Sequence, residues 1–293
     1  MRSEKVFMNG IINLLKPPGM SSNGATVFLR KLLNEKRVGH AGTLDPGAAG
    51  VLVVLAGRSA RLSDFLMNHA KRYRAEIAFG KRTDTLDSYG KILEERSCSV
   101  SRERLMRAIP AFLGEIEQIP PDYSAVKIDG RPAYQLARKG VEVRKKARRV
   151  QIFGIDLLAQ TGENRFLLEV SCSKGTYIRT LLEDIAKSMG EIAHTSFLMR
   201  TASGGFEIEE AYTADEIKAM AEAGDFSFVQ SPEKALMELP EVRLEAKYHF
   251  ALQNGQKIPY AAPEQRFRLY CEEQFYGIGA CQEGVLRLVT PLY

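Results

Sequence analysis

The apolar segments of this chain are short, and glycine or proline interrupts each of them. The first, Gly10–Leu15, reads GIINLL and is followed by Lys16-Pro17-Pro18-Gly19, which cannot continue a sheet. Ser21 or Ser22 then caps a helix that extends to about Leu33. No apolar run reaches the ~18–20 residues that crossing a bilayer requires. This pattern predicts a mixed fold of short strands and short helices.

Hydrophobic periodicity predicts the other elements. Strands are expected at Val51–Leu55, Tyr73–Phe79 and Arg165–Ser173, and helices at Arg102–Phe112, Tyr177–Met189 and Ala214–Ala223. From about Pro240, short strands alternate with turn signals, which predicts a small β-rich module. Periodicity alone therefore indicates the α+β class, and we expect a large domain over residues 1–230 and a small one over residues 231–293.

Charge is distributed unevenly along the chain, whose net charge is +5. Residues 127–149 hold nine Lys or Arg and two acids, whereas residues 204–240 hold nine acids and two lysines. A solvated basic face would explain the first cluster equally well. The aromatic and glycine residues between its charges favour a groove for a polyanion. We therefore predict a projecting, RNA-clamping insertion at about residues 120–150.

The cysteines and histidines support neither disulfides nor a metal site. The four cysteines form no CxxC pair, and the four histidines show no HxxxH or HExxH spacing. Between Met1 and Gly10 there is no apolar core of signal-peptide length. We expect a cytoplasmic protein with free thiols and no bound metal.

The densest chemical signal is the segment Gly39–Gly47, which reads GHAGTLDPG. An aspartate in an Asp-Pro-Gly turn is most often structural. However, Pro46 favours an extended backbone at Asp45, and the glycines allow another segment to approach closely. The Asp45 carboxylate would then lie on an open loop between two core elements, where catalytic residues are common. No GK[ST] follows these glycines, which excludes a Walker phosphate loop.

Three further segments carry weaker signals. Arg179 falls in the first turn of a predicted helix, where the helix dipole favours an acid, so we expect it to have a carboxylate partner. Asp84 and Asp87 lie in Arg82–Gly90, which is more typical of a polar hairpin turn than of a metal loop. Basic residues surround Tyr73 at a strand start, a position that core packing alone would also explain.

Several long segments, in order, resemble the bacterial tRNA pseudouridine-55 synthase family. They read GHAGTLDPGAAGVLVV, KRYRAEIAFGKRTDTLDSYG, IPPDYSAVKIDGRPAYQLARKGVEV and SKGTYIRTLLEDI. The resemblance covers Gly10 to Gly205, and the tail more weakly resembles a PUA-type RNA-binding module. It implies a pseudouridine synthase domain on a largely antiparallel sheet. It also implies an isomerase without cofactor that acts on a flipped-out uridine in the T-arm of tRNA, as a monomer and without a protein partner.

The resemblance implies catalytic roles for three residues. Asp45 matches the family's catalytic aspartate, and Arg179 matches the arginine that pairs with it. Tyr73 matches the tyrosine that stacks on the flipped base, and it is a candidate for proton abstraction. One departure is Met199, where the family commonly has arginine. The contact expected of that arginine is not carried over.

Other positions match residues that bind the substrate. His40 matches the residue that takes the place of the displaced base, and Tyr177 and Leu198 match positions in the substrate pocket. Lys16 falls in the N-terminal K-P motif, and Asp87 falls in the R-T-D-T-x-D segment. In the basic insertion, the candidate RNA-binding residues are Arg144, Lys145 and Lys146.

Three other functions remain open at this point. A non-catalytic RNA-binding or RNA-folding protein could use the same groove, although binding alone does not require Asp45, Tyr73 and Arg179 together. A guide-RNA-dependent pseudouridine synthase is disfavoured by the short tail and the basic insertion. An unrelated metal-dependent hydrolase is the most distant alternative.

Overall fold

The chain folds into short strands and helices, and the computed structural model describes residues 8–124, 126–128, 130–137 and 145–293. The strands are β1 Gly10–Lys16, β2 Val38–His40, β3 Ala49–Ala56, β4 Lys71–Phe79, β5 Lys81–Thr83, β6 Ile92–Glu95, β7 Gly114–Gln118, β8 Lys127–Ile128, β9 Arg131–Pro132, β10 Arg148–Gly162, β11 Arg165–Cys172, β12 Ala193–Ser203, β13 Phe206–Glu207, β14 Tyr212–Thr213, β15 Val229–Gln230, β16 Glu241–Leu244, β17 Ile258–Pro259, β18 Arg266–Cys271, β19 Gln274–Gln282 and β20 Val285–Pro291. The helices are α1 Ser22–Leu32, α2 Ser63–Met67, α3 Arg102–Ala108, α4 Ala133–Ala137, α5 Ile178–Ser188, α6 Ala214–Glu222 and α7 His249–Gln253. The predicted α+β class is confirmed.

Within the described part of the chain, the larger sheet has eleven strands, and its main path runs β14-β1-β3-β12-β4-β11-β10-β7. The pairs β1–β14 and β3–β12 are parallel, whereas β1–β3, β12–β4, β4–β11, β11–β10 and β10–β7 are antiparallel. The largely antiparallel sheet expected from the resemblance is therefore confirmed. This strand order places Gly50, at the start of β3, beside Arg200 of β12, which in turn pairs with Tyr73 of β4.

Both faces of β1 and β3 are buried, which explains why these strands read as continuous apolar runs. On one face, Leu29 of α1 packs with Leu14 and Leu52. On the other face, Ile11 and Val53 pack in a different buried cluster. Burial on both sides holds these strands, and therefore the loop that precedes β3, in one position.

Most predicted elements are present, with corrected ends. Ser21 caps α1 by accepting a hydrogen bond from the Gly24 amide at 2.9 Å. The helix predicted over Arg102–Phe112 is shorter, because Pro110 lacks an amide donor and α3 gives way to a 3₁₀ turn over Ile109–Phe112.

Two segments differ in detail from the sequence predictions. The segment Gly39–Gly47 is not a loop throughout, because Gly39 and His40 belong to β2 and pair with β3. The insertion expected at about residues 120–150 falls between β7 and β10, whose first residues Arg148 and Arg149 pair with β7, and its role as an RNA clamp stays a prediction. Sequence analysis missed β10, which is half-exposed and interrupted by register shifts, so its apolar residues do not alternate regularly.

A second sheet of five strands, in the order β16-β18-β19-β20-β17, forms the predicted β-rich C-terminal module. It packs against the larger sheet through Ile278 and Leu292, which share a buried cluster with Leu55 and Phe206. The sheet begins at Glu241, and the proposed domain boundary at residue 231 stays a prediction. Among the described segments, no helix has the length and apolarity needed to cross a membrane. All four cysteines are free.

Candidate active site

Asp45 lies on the short loop between β2 and β3. Ser22 fixes the residue before it: the Ser22 hydroxyl accepts from the Leu44 amide and donates to the Leu44 carbonyl, both at 2.9 Å. Leu44 itself is buried in the core. The Gly19 amide donates to the Pro46 carbonyl at 2.8 Å, on the other side of Asp45. The Asp45 backbone is therefore held from both directions by the N-terminal segment.

Two buried cations lie beneath this loop. The Lys16 ammonium donates to the carbonyls of Pro17 at 2.8 Å, Met20 at 2.7 Å and Pro46 at 3.4 Å. Burial lowers the pKa of Lys16 to about 8, while the charge of Asp45 acts in the opposite direction. Because its three donors point at backbone carbonyls, Lys16 positions the loop from below.

Arg200 is the second buried cation, and only 1% of its surface is exposed. Its Nε donates to the Val51 carbonyl at 2.7 Å, and its two terminal nitrogens donate to the carbonyls of Thr43 and Gly42 at 3.4 and 3.3 Å. Sequence analysis missed this residue, noting only its neighbour Met199. A cation directly after the apolar run Phe197–Met199 was the available signal, because such a charge is rarely buried without specific partners.

Arg179 meets Asp45 from the start of α5. Its side chain is 4% exposed, and Nη2 lies 2.9 Å from the Asp45 carboxylate. The same guanidinium donates to the carbonyls of Thr85 at 2.7 Å and Tyr123 at 2.9 Å, and Nη1 lies 3.5 Å from the Asp87 carboxylate. A planar guanidinium with several fixed donors suits such a junction better than lysine does. The structure shows the carboxylate partner that the position of Arg179 predicted.

The side chain of Gln118 fixes the backbone from which Arg179 projects. Its amide oxygen accepts from the Tyr177 amide at 3.0 Å, and its amide nitrogen donates to the Tyr177 carbonyl at 3.3 Å. Gln118 is 2% exposed, although sequence analysis gave it no role. Tyr177 precedes α5 without a side-chain cap, so this paired contact orients the first turn of the helix.

The electrostatics of Asp45 combine opposing effects. Burial raises the pKa of the Asp45 carboxyl, Arg179 lowers it, and the negative charge of Asp87 raises it further. The net direction is upward, because removing the carboxylate from water disfavours its charged form. The Asp45 side chain still keeps 36% of its surface exposed, so it remains accessible to a substrate.

A small cavity of about 80 Å³, here the Asp45 cavity, brings five predicted site residues together. It is lined by Asp45, Tyr73, Tyr177, Arg179 and Leu198, among other residues. Burial raises the pKa values of the Tyr73 and Tyr177 phenols, which keeps both hydroxyl groups protonated at neutral pH. The cavity therefore combines one accessible carboxylate with aromatic and aliphatic walls.

A wider cleft of about 730 Å³ shares Asp45, Tyr73 and Tyr177 with this cavity. Among the described residues, five cations also line it, namely Lys71, Arg148, Arg149, Lys174 and Arg200, together with one further carboxylate, Asp64; we call it the basic cleft. Arg148, Arg149 and Lys174 are exposed, whereas Lys71 and Arg200 are buried. The exposed cations give the cleft the character of a polyanion-binding surface.

The other predicted residues lie around these spaces. His40 ends β2, is half-buried and, as far as the described residues define them, lines neither the Asp45 cavity nor the basic cleft. Burial lowers the pKa of His40, which favours the neutral imidazole. Asp87 shares the Arg179 guanidinium with Asp45, at 3.5 Å from Nη1.

The three predicted cations of the insertion differ from one another. Lys145 is 11% exposed and ion-paired with Asp122 at 2.6 Å. Lys146 is exposed. Arg144 falls outside the described residues. Among the described residues, the cations that line the basic cleft belong instead to β4, β10, β12 and the turn before α5.

Comparison with protein families gives two matches. Residues 30–178 match the TruB family pseudouridylate synthase (N terminal domain), and residues 240–288 match the C-terminal domain described as Pseudouridine synthase II TruB. The second match covers the C-terminal module, from the residue before β16 into β20.

Individual proteins give consistent matches. The chain is 42% identical to the tRNA pseudouridine synthase B of Caldanaerobacter subterraneus subsp. tengcongensis, covering 96% of this chain and 98% of that protein. It is 40% identical to the tRNA pseudouridine synthase B of Alkaliphilus oremlandii, covering 93% of each. Among solved structures, a chain of a Cbf5-Nop10-Gar1 complex superposes with a TM-score of 0.71 and 26% identity, covering 94% of this chain and 79% of that chain.

Proposed function

This chain belongs to the TruB family of pseudouridylate synthases, and we propose that it converts uridine 55 in the T-loop of tRNA into pseudouridine, with Asp45 as the nucleophile. The tRNA substrate is supported by the names of relatives about 40% identical over nearly the whole chain. One observation carries the catalytic assignment: an accessible carboxylate lies 2.9 Å from a buried guanidinium in a cavity lined by two tyrosines.

The reaction breaks the N1–C1′ bond of uridine and forms a C5–C1′ bond, while the proton at C5 is lost and N1 gains one. Asp45 attacks either the ribose C1′ or the uracil C6, and both routes need an ionised carboxylate. Arg179 favours that form, although burial opposes it. The two carboxylates beside Arg179 and its two carbonyl partners fix the guanidinium, so it need not reorganise during the reaction.

The walls of the Asp45 cavity hold the detached uracil. Tyr73 offers a ring for stacking, and Tyr177 and Leu198 close the remaining sides. Because its pKa is raised, the Tyr73 phenol is protonated at neutral pH, which favours stacking over proton abstraction. Confinement keeps the free base close to C1′, so it recombines after turning instead of escaping.

The target uridine must leave the folded T-loop, at a cost of a few kcal/mol. Stacking worth roughly 1–3 kcal/mol per base offsets this cost. His40 occupies the position vacated by the base, and its neutral imidazole suits an apolar stack better than a charged ring would.

The RNA backbone follows the basic cleft, where Arg148, Arg149 and Lys174 are exposed to phosphates. Lys146 is exposed and stands two residues before Arg148 in the chain, so we propose that it also contacts phosphate, while Arg144 stays a sequence prediction. The ion pair with Asp122 makes Lys145 a weaker candidate than Lys146, because its charge is already balanced. We further propose that the chain acts on bare tRNA, as a monomer, without guide RNA, metal or cofactor.

Tritium release from a [5-³H]uridine-labelled tRNA transcript, with the purified chain alone, tests this function. Wild type should release tritium and form pseudouridine at position 55, and Asp45→Asn should bind the transcript without releasing tritium. Asp156→Asn, an exposed aspartate of β10, is the matched control and should react like wild type.

Three results would contradict the proposal. Tight binding by wild type without tritium release would favour an RNA-folding protein. Release only after a guide RNA is added would favour the guide-dependent branch. Full release by Asp45→Asn would exclude Asp45 as the nucleophile.

A further inference from the structure

The start of α5 carries two residues of the candidate active site, although the helix provides no side-chain cap there. Tyr177 and Arg179 both line the Asp45 cavity. Arg179 places a cation in the first turn, where the helix dipole disfavours positive charge. The position of this turn therefore depends on contacts with other segments of the chain.

One such segment is residues 118–124, here the insertion root, which begins at the last residue of β7. The Gln118 side chain forms two hydrogen bonds with the backbone of Tyr177, at 3.0 and 3.3 Å. The Tyr123 carbonyl accepts from Arg179 Nη2 at 2.9 Å. Pro120 and Pro121 are buried between these contacts and restrict the backbone. The insertion root thus contacts the start of α5 both at its backbone and at the Arg179 guanidinium.

A side-chain amide suits both backbone groups of Tyr177. Its oxygen accepts from the N–H while its nitrogen donates to the C=O, and a hydrocarbon side chain can do neither. Gln118 is 2% exposed, and it is not among the described residues that line the Asp45 cavity or the basic cleft. Any effect of its amide on the reaction must therefore act through Tyr177 and Arg179.

We propose that Gln118 is a positioning residue for the reaction, which holds the Arg179 guanidinium and the Tyr177 ring in place beside Asp45. The inference rests on the proposed function, because it requires Asp45 to be the reacting carboxylate. A shift of about 1 Å at the start of α5 is enough to slow a chemical step up to about 100-fold. Phosphate contacts of Arg148 do not depend on the amide, since β10 pairs with β7 through backbone groups.

Such a shift also has an electrostatic consequence for Asp45. Burial raises the pKa of Asp45 most, Arg179 of α5 and Lys16 of β1 lower it, and Asp87, between β5 and β6, raises it. The two phenols of the cavity are uncharged at neutral pH. Moving Arg179 away weakens the main lowering effect, so the pKa of Asp45 rises further. Because the reaction needs the carboxylate, the acid limb of the rate profile then moves to higher pH.

Single-turnover tritium release with enzyme in excess tests the inference, because its rate reports the chemical step. Gln118→Met keeps the length of the side chain but removes both hydrogen bonds. Its rate should fall about tenfold, with an unchanged Kd for the transcript and an acid limb at higher pH. Gln118→Asn keeps the amide on a side chain one methylene shorter, so its rate should lie between the other two. This milder variant also serves if Gln118→Met does not fold.

Asn164 provides a matched control, because its side chain also joins a backbone N–H and a backbone C=O. It accepts from the Val100 amide at 3.0 Å and donates to the Cys98 carbonyl at 3.2 Å. The Asn164 carbonyl accepts from the amide of Phe79, which lies at the end of β4 and therefore ~20 Å from Tyr73. Asn164→Leu should lower the free energy of unfolding but leave the rate and the pH profile unchanged.

Three results would overturn the inference. A wild-type rate in both Gln118 variants would mean that the start of α5 keeps its place without the amide. A slower rate with an unmoved acid limb would mean a general structural role, and a weaker Kd at a wild-type rate would mean a role in binding. Tritium release by wild type is measured in parallel. With that release, each of these results rejects only this inference, whereas no release by wild type rejects the proposed function.

Discussion

The Arg179 guanidinium lies 2.9 Å from the Asp45 carboxylate and 3.5 Å from that of Asp87, so one buried cation connects two acids from distant parts of the chain. Removing such a cation would leave two partly buried carboxylates without their compensating charge. The arrangement makes the protonation state of Asp45 depend on both neighbours, and this dependence can be measured.

Replacing Arg179 with lysine should slow the chemical step about 100-fold, because a point charge cannot maintain all four contacts of the guanidinium and Asp45 would shift. Single-turnover tritium release measures the rate, and a binding assay should show an unchanged Kd. Arg165→Lys is the control, because the Arg165 side chain is 54% exposed and its ion pair with Glu76 lies at the surface. A wild-type rate in Arg179→Lys would mean that a positive charge beside Asp45 is enough for the chemical step, whatever its geometry.

The acid limb of kcat/KM should lie at a higher pH than an ordinary aspartate gives, because the pKa of Asp45 is raised and the reaction needs the carboxylate. Activity therefore falls as pH decreases through the raised pKa. Asp87→Asn removes a charge that raises the pKa of Asp45, so its acid limb should move to lower pH. The pH dependence of kcat/KM, measured for wild type, Asp87→Asn and the control Asp84→Asn, tests this shift. A shift to higher pH in Asp87→Asn would contradict the assigned coupling.

Gly50→Ala should destabilise the protein by at least about 2 kcal/mol. Gly50 has φ of +113°, and an added Cβ would lie 2.2 Å from the Arg200 carbonyl oxygen, where β3 pairs with β12. Gly39→Ala is the matched control, since nothing lies within 4 Å of the added Cβ. Chemical denaturation of both variants measures the difference. Equal stabilities would show that the β3–β12 contact can relax without cost.

The salt dependence of tRNA binding should identify the phosphate contacts. Arg148→Gln should flatten the slope of log K against log salt by ~0.7–0.9, the loss expected for one phosphate contact. Lys145→Gln should change the slope less, because Asp122 already pairs with this lysine at 2.6 Å. Titrations at several salt concentrations compare the two variants. A larger change for Lys145→Gln would return the main interface to the insertion.

The amino-acid sequence by itself determined much of the local structure. Apolar runs bounded by glycine and proline predicted β1 and β3, and helical periodicity predicted α1 and α5 within one residue of their observed ends. The GHAGTLDPG segment identified Asp45, and the misplaced charge of Arg179 predicted a carboxylate partner. These signals are local, because they depend on backbone preferences and on the burial of one face of one element.

Only the tertiary structure decided which distant residues meet. Arg200, Gln118 and Ser22 hold the Asp45 loop and the start of α5, yet each looks ordinary in its own segment. The exposed ring of Tyr89 lies against Gly47 of the Asp45 loop, a contact that the sequence does not indicate. Burial and hydrogen-bond partners at these positions come from strands and loops far apart in the chain. Strand pairing and core packing bring these residues together, and the periodicity of a single segment cannot predict such contacts.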